Sequence, residues 1–132
     1  MAETRGLMNG KRGLIMGLAN KKSIAWGIAK SLADAGAELA LTYQGDALKK
    51  RVEPLGEELG AFVAGHCDVT DTQSIDDVFK ALEEKWGKID FLVHAVAFSD
   101  KNELTGRFVD TTADNFARTM DISCYSLTAV TQ

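Results

Sequence analysis

Cysteine, histidine and proline are all scarce in this sequence: two, two and one among 132 residues. Cys67 and Cys124 fall in no CxxC or other metal-ligand spacing, and with only His66 and His94 to join them a zinc site is short of donors, so no metal is expected. Thiols so far apart read as reduced, buried side chains of a cytosolic protein. Long apolar runs are missing too. No stretch reaches the roughly eighteen apolar residues of a membrane-crossing helix, and the opening MAETRGLMNGKRG has no apolar core of signal-peptide length, so no membrane partner and a cytoplasmic location are expected. Positive charge is in deficit, with 15 Lys and Arg against 19 Asp and Glu. That balance argues against nucleic acid, whose binding needs clustered cations that displace counterions. The short run Lys49-Lys50-Arg51, offset by Glu53, Glu57 and Glu58, reads as one solvated helix face.

What is present is ordinary globular material, 45% hydrophobic and 26% charged, enough for one domain or part of one. Apolar runs of strand length alternate with segments of helical period, the pattern of parallel strands joined by crossover helices. Strands are expected over 12–16, 37–43, 61–67 and 89–96. After the first, Ile24, Ile28 and Leu32 form an apolar row beside the smaller Ala25, Ala29 and Ala33, with Gly36 as the stop. The surest helix is 72–86, where Ile75, Val78, Phe79, Leu82 and Trp86 share a stripe and Thr70 and Gln73 are spaced as a capping box. Over 47–59, Pro54 and Gly56 predict a helix that kinks or restarts. A polar connection, 99–110, then leads to a helix opened by Thr111 or Thr112 and unbroken to Gln132. The fold class is α/β: a Rossmann-like, doubly wound parallel sheet with helices on both faces. Four strands alone leave edges and helix faces uncovered, so residues 1–132 are expected to be the N-terminal, dinucleotide-binding part of a single domain that continues further.

Ligands of such sheets bind beyond the carboxyl ends of the strands, where strand order reverses. The first of those ends is Gly17, in the stretch GLIMGLANKKSIAWGIAKSL. Its Lys22-Ser23 pair imitates a triphosphate loop, but the glycine required before the lysine is Lys21, and no Gly-x-Gly-x-x-Gly is present either. The loop can still hold a pyrophosphate, through free amides at a helix start near Ser23. Gly17 fits a close approach of backbone to ligand, and Gly27 close packing of the helix on the sheet. At the second strand end Gln44 can hydrogen-bond an adenosine, while Asp46 would repel a 2′-phosphate, favouring NADH over NADPH. At the third, Asp68 offers an acceptor and Val69 an amide to adenine; Asp68 reads equally as a turn or helix cap.

With these strand ends in view, the sequence resembles the bacterial enoyl-acyl carrier protein reductases, a divergent branch of the short-chain dehydrogenase/reductase family. The resemblance rests on G-x5-S-I-A-x-G-I-A at 17–29, A-E-L-A-x-T-Y-Q at 37–44, C-D-V at 67–69, S-I-D at 74–76 and D-I-S-x-Y-S at 121–126. It implies that Gly17, Ser23 and Ile24 contact the pyrophosphate and nicotinamide end of NADH, Gln44 the adenosine, Asp68 and Val69 the adenine, Val96 the ribose region, and that the Ser99 backbone touches the acyl substrate. Where the family reads I-G-F, this chain has Val96-Ala97-Phe98, which adds a methyl beside the cofactor. The implied reaction is NADH-dependent reduction of trans-2-enoyl-acyl carrier protein in fatty-acid synthesis. Another short-chain dehydrogenase or a non-catalytic dinucleotide-binding protein are the alternatives.

The resemblance also implies a catalytic tyrosine followed seven residues later by lysine. Tyr125 has Gln132 at that spacing; Tyr43 with Lys50 fits numerically, but Tyr43 ends the second strand on the adenosine side. No catalytic residue is therefore expected in this chain, and the pair is expected beyond residue 132. His94, inside an apolar strand, reads as a satisfied core histidine. A homotetramer is implied by the resemblance, and Phe116, Met120 and Leu127 give the last helix an apolar face that fits either an interface or ordinary core burial.

Overall fold

A computed structural model describes residues 6–132; residues 1–5, included above in the stretch without a signal-peptide core, lie outside them. The elements run β1 (Arg12–Met16), α1 (Ile24–Asp34), β2 (Glu38–Tyr43), α2 (Gly45–Leu59), β3 (Phe62–His66), α3 (Thr72–Trp86), β4 (Phe91–His94), two single 3-10 turns at Lys101–Glu103 and Phe108–Asp110, α4 (Ala113–Met120), a π-helical turn at Asp121–Tyr125 and α5 (Ser126–Thr131). The strands form one parallel sheet in the order β3-β2-β1-β4. β1 is thus central, and the chain reverses direction across the sheet between β3 and β4.

Alternation along β1 and β2 decides which helix covers which face. Ile15, Leu39 and Leu41 point to one side, where they meet Ala25, Trp26 and Ala29 of α1 and Val52 and Leu55 of α2. Leu14, Met16 and Ala40 point to the other, against Ile75, Val78 and Leu82 of α3 and Val130 of α5. Helices therefore lie on both faces, as a doubly wound sheet requires.

Several details differ from expectation. β2, β3 and β4 are shorter than their apolar runs by one to four residues, although Cys67 and Ala95 just beyond β3 and β4 still donate to the Tyr43 and Met16 carbonyls of the neighbouring strands. In α1 the alanine row packs as expected, with Trp26 added to it, and Leu32 packs beside it, but Ile24 at the head of the larger row is 81% exposed. Gly27 is also exposed, and an added Cβ there would meet nothing within 4 Å, so it is not what lets α1 approach the sheet. A glycine does permit close packing on the sheet in α2, where a Cβ on Gly56 would come within 2.9 Å of Val63 of β3. α2 runs unbroken through Pro54, because Val52, Leu55 and Gly56 anchor it on both sides while Pro54 faces solvent. There the carbonyl orphaned by proline is open to water.

The cap of α3 is Asp71, whose carboxylate accepts from the Gln73 amide at 3.1 Å; Thr70 instead bonds Asp68. Thr112 opens α4, its hydroxyl accepting from the Asn115 amide at 3.2 Å. The helix expected to run on to Gln132 is interrupted by the π-helical turn. Ser126, whose hydroxyl donates to the Ile122 carbonyl at 2.6 Å, draws the backbone out of its regular ladder. Cys67 is buried as expected, but Cys124, within that turn, is exposed.

Candidate functional site

The carboxyl ends of all four strands open into a single cleft of about 590 Å³, lined by Met16 to Ala19, Thr42 to Gln44, Leu48, Cys67 to Thr70, Ala95 to Phe98, Arg118 and Ile122. It lies at the reversal of strand order beside β1, the place where parallel sheets take ligands.

Gly17 forms its floor between β1 and the end of β4. It has φ +99°, and a Cβ there would lie 2.0 Å from the Ala95 carbonyl oxygen. The close approach that demands glycine is therefore to the neighbouring strand, whatever the cleft binds. Beyond it the chain turns through Asn20, whose side chain accepts from the Lys22 amide at 2.7 Å and whose carbonyl accepts from the Ser23 hydroxyl at 2.6 Å. Ser23 is the residue before α1 but offers that helix no side-chain cap, unlike Asp71 of α3 and Thr112 of α4. The dipole end of α1 is thus left open to an anion. Lys21, the residue that spoils the triphosphate pattern, pairs with Glu58 at 2.7 Å and lies over the Trp26 ring. Ser23 and Ile24 stand beside the cleft rather than in its lining.

At the other end, β3 bulges where Thr42 pairs with Gly65 instead of Ala64, and Gly65 takes φ +137°. The bulge re-aims the segment that follows. Asp68 there accepts from both the amide and the hydroxyl of Thr70, at 2.9 and 2.7 Å. Buried Ser74 accepts from the Asp68 amide at 2.9 Å and turns its hydroxyl toward the carbonyls of Asp68 and Asp71. The Thr70 hydrogen bonds, with smaller help from Gln44 and the charge of His66, hold the Asp68 carboxyl below its ordinary range. Asp68 is thus a turn cap and a cleft-lining carboxylate at once. Burial pushes the neighbouring Cys67 thiol up to about 11, which keeps it protonated and inert.

The loop after β4 is tied to the last helical segment. The Phe98 amide donates to Ser123 at 3.0 Å, and the Phe98 ring lies 4.6 Å beneath the Arg118 guanidinium. Ser99 lies outside the lining, its hydroxyl held by Asn115 at 3.2 Å and Thr119 at 3.1 Å. Ala97 is exposed on the cleft wall. His94 lies 2.6 Å from Ser126. Because the Ser126 hydroxyl donates to Ile122, the His94 Nε2 is the donor in that contact, and the ring is satisfied inside the fold.

Of the residues singled out in sequence, the cleft gathers Gly17, Gln44, Asp68, Val69 and Val96, and its lining does not include Ser23, Ile24 or Ser99. It also gathers Thr70 and Arg118, which the strand-end reading passed over. Thr70 carried a signal, since a threonine two residues after an aspartate is a common partner in a side-chain turn; Arg118 carried none, because its place depends on how α4 returns across the sheet.

Comparisons with known proteins agree on one family. Residues 17–132 match the family model described as enoyl-(acyl carrier protein) reductase. The chain is 78% identical over 130 residues to the NADH enoyl-acyl-carrier-protein reductase 1 of Rhizobium meliloti, covering 98% of this chain and 48% of that protein. To the corresponding NADH reductase of Rickettsia felis it is 53% identical, covering 94% of this chain and 48% of that one. A crystal structure of the reductase from Anaplasma phagocytophilum in complex with NAD superposes with a TM-score of 0.91 at 58% identity, covering 96% of this chain and 48% of that chain. The chain spans about half the length of these relatives. A match over residues 17–132, on a sheet and cleft built as described, places the chain in the enoyl-(acyl carrier protein) reductase family.

Proposed function

We propose that this chain forms the dinucleotide-binding part of an NADH-dependent enoyl-acyl carrier protein reductase of bacterial fatty-acid synthesis. The observation that carries the reading is the cleft at the strand-order reversal, with an ionised Asp68 at one end and the uncapped start of α1 beside the other. Its volume of about 590 Å³ suits a cofactor-sized ligand. The donor set fits a dinucleotide. Asp68 accepts the adenine amino group and Val69 offers it an amide; Gln44 hydrogen-bonds the adenosine; Val96 flanks the ribose; and the open amides after Gly17, with Ser23 and Ile24, take the pyrophosphate. Asp46, in the first turn of α2, discourages a 2′-phosphate, and Lys49 is drawn to Glu53 at 3.9 Å. NADH is therefore preferred to NADPH.

When bound, the nicotinamide supplies a hydride to the β-carbon of a trans-2-enoyl thioester, and the resulting enolate needs a proton. This chain positions the reacting partners through the Ala95 to Phe98 wall, with Ser99 at the acyl side, and no suitable acid stands there among the described residues. Tyr43 stands at the adenosine end beside His66, and Tyr125 lies in the π-helical turn and is exposed. The proton donor, and a lysine on the ribose, belong to the portion of a full-length reductase that this chain does not span. The substrate is carried by acyl carrier protein; the enzyme works in the cytoplasm as a homo-oligomer, a tetramer by analogy with the family, and Phe116, Met120 and Leu127 are the apolar surface available for such contacts.

Titrating the intact protein with NADH and NADPH by fluorescence tests the cofactor assignment, with saturation at lower NADH concentration expected. Crotonyl-thioester-dependent oxidation of NADH tests the reaction. Absence of saturable binding by either dinucleotide overturns both.

A further inference from the structure

β3 ends at His66, an exposed residue whose ring nitrogen Nδ1 accepts a hydrogen bond from the Gly45 amide at 2.9 Å. Gly45 is the first residue of α2 and takes φ +79°; it follows directly on Gln44, which lines the cleft. Gln44 provides no side-chain cap to α2. The imidazole, arriving from the neighbouring strand, is the acceptor that answers an amide in the helix's first turn. An Nδ1 that accepts is unprotonated, which puts the hydrogen of the neutral ring on Nε2.

We infer that His66 is a positioning residue that holds the Gln44 turn in its dinucleotide-binding shape only while its imidazole is neutral, so that cofactor affinity falls as pH drops. This rests on the dinucleotide reading of the cleft. Protonation turns Nδ1 from acceptor into donor, set against the Gly45 amide and against the positive end of the α2 dipole. The contact then opposes the turn instead of closing it. The groups placed at the ring are the Tyr43 side chain of β2, with ring centroids 6.4 Å apart, and Asp68 after β3, whose carboxylate feels the His66 charge; Asp46 follows Gly45 in the first turn of α2. The Asp68 carboxylate attracts an imidazolium that the Gly45 amide repels. Protonation therefore draws the ring toward Asp68 and releases Gly45, loosening the adjoining Gln44.

The test uses the intact protein. The Kd for NADH is measured between about pH 8 and about pH 5.5, where a rise of about fivefold is expected in the wild type for one lost hydrogen bond. His66→Asn, which puts an amide oxygen in place of Nδ1 and gains no proton, keeps the affinity within about twofold across the same range. His66→Ala binds about fivefold more weakly than the wild type at about pH 8 and shows no further loss at about pH 5.5. Protection of the Gly45 amide from hydrogen exchange, measured without ligand, reports the contact itself: it drops at low pH in the wild type and not in the Asn variant. A flat wild-type profile, or parallel loss in wild type and Asn variant, overturns the assignment to His66. Should NADH not saturate at any pH, the dinucleotide reading fails while Gly45 protection still decides whether His66 holds the turn; equal protection in wild type and Asn variant at both ends of the range sinks it.

Discussion

At the β2–β3 end of the cleft the polar groups are answered from within the chain, whereas at the β4 end large apolar side chains stand in the open. Asp68, Thr70, Asp71, Gln73 and Ser74 form one connected set of hydrogen bonds, and Gly45 and His66 form a separate bonded pair beside it. Beyond β4, Leu104, Phe108, Val109, Phe116, Met120 and Leu127 are all exposed, Phe108 to 84%. The segment from α4 to α5 reaches the core chiefly through Val130, with Ser126 and Asn115 also buried. The first end is complete as it stands and can recognise a ligand by fixed donors and acceptors. The second presents exposed apolar side chains that nothing among the described residues covers.

The strongest way to break this contrast is at the glycine that joins the two ends. Gly17→Val drives a branched side chain into the Ala95 carbonyl from a backbone conformation that valine avoids, and should cost about 4 kcal/mol, from steric overlap plus backbone strain. Thermal or urea unfolding measures it; a variant with unchanged stability would show that the floor of the cleft is not packed as described. Because that destabilisation is expected, loss of NADH binding in this variant would say nothing about the ligand.

Next in size is a pair of leucines, one from each region. Leu82→Ala removes a side chain buried under the sheet and should lower stability by about 3 kcal/mol, while Leu127→Ala, half exposed, should cost about 0.5 kcal/mol in this segment alone. If urea midpoints of the intact protein show a much larger loss for Leu127→Ala, the open face is covered there, and the contrast sharpens into an interface.

A smaller effect is expected at Asp68. Its folded pKa is depressed below 3.8, so its contribution is present at neutral pH and is lost as pH falls through the folded value. Asp68→Asn should therefore be less stable than wild type near neutral pH, with the gap closing below about pH 4, and should weaken NADH binding about fivefold. Equal stability at all pH values would detach the carboxylate from the turn. The mildest probe is chemical: at about pH 8, Cys124 in its exposed turn should react with a thiol reagent at least about tenfold faster than Cys67, whose thiol titrates at about 11. Equal rates would mean that the β3 end opens readily.

Much of this was readable along the chain. β1 and α3 fall on their expected residues, since both carry strong local periods, and Gly36, with φ +98°, follows the end of α1 as a stop should. The strand ends that line the cleft were readable too, because a parallel sheet puts all its carboxyl ends on one edge. Thr70 and Gln73 looked like a capping pair, yet Asp71 caps and Thr70 serves Asp68; spacing alone does not choose between neighbouring side chains with similar reach. Of the two rows on α1, the alanine row was expected to lie close to the sheet and does so, joined by Trp26, whereas Ile24 at the head of the larger row is turned to solvent. Leucine and isoleucine mark a hydrophobic stripe, but close packing on a sheet selects small side chains just as readily.

The sequence by itself determined the alternation of strand and helix, the family, and the residues that would arrive at one edge of a parallel sheet, because those depend on short periods and on motifs within a few turns of chain. Tertiary structure alone decided that Gly17 must make room for Ala95, 78 residues away, and that an imidazole from β3 would answer the amide opening α2, 21 residues away. Such pairings arise from the order in which strands are laid side by side, β3-β2-β1-β4, and no local pattern encodes which backbone comes to rest against which.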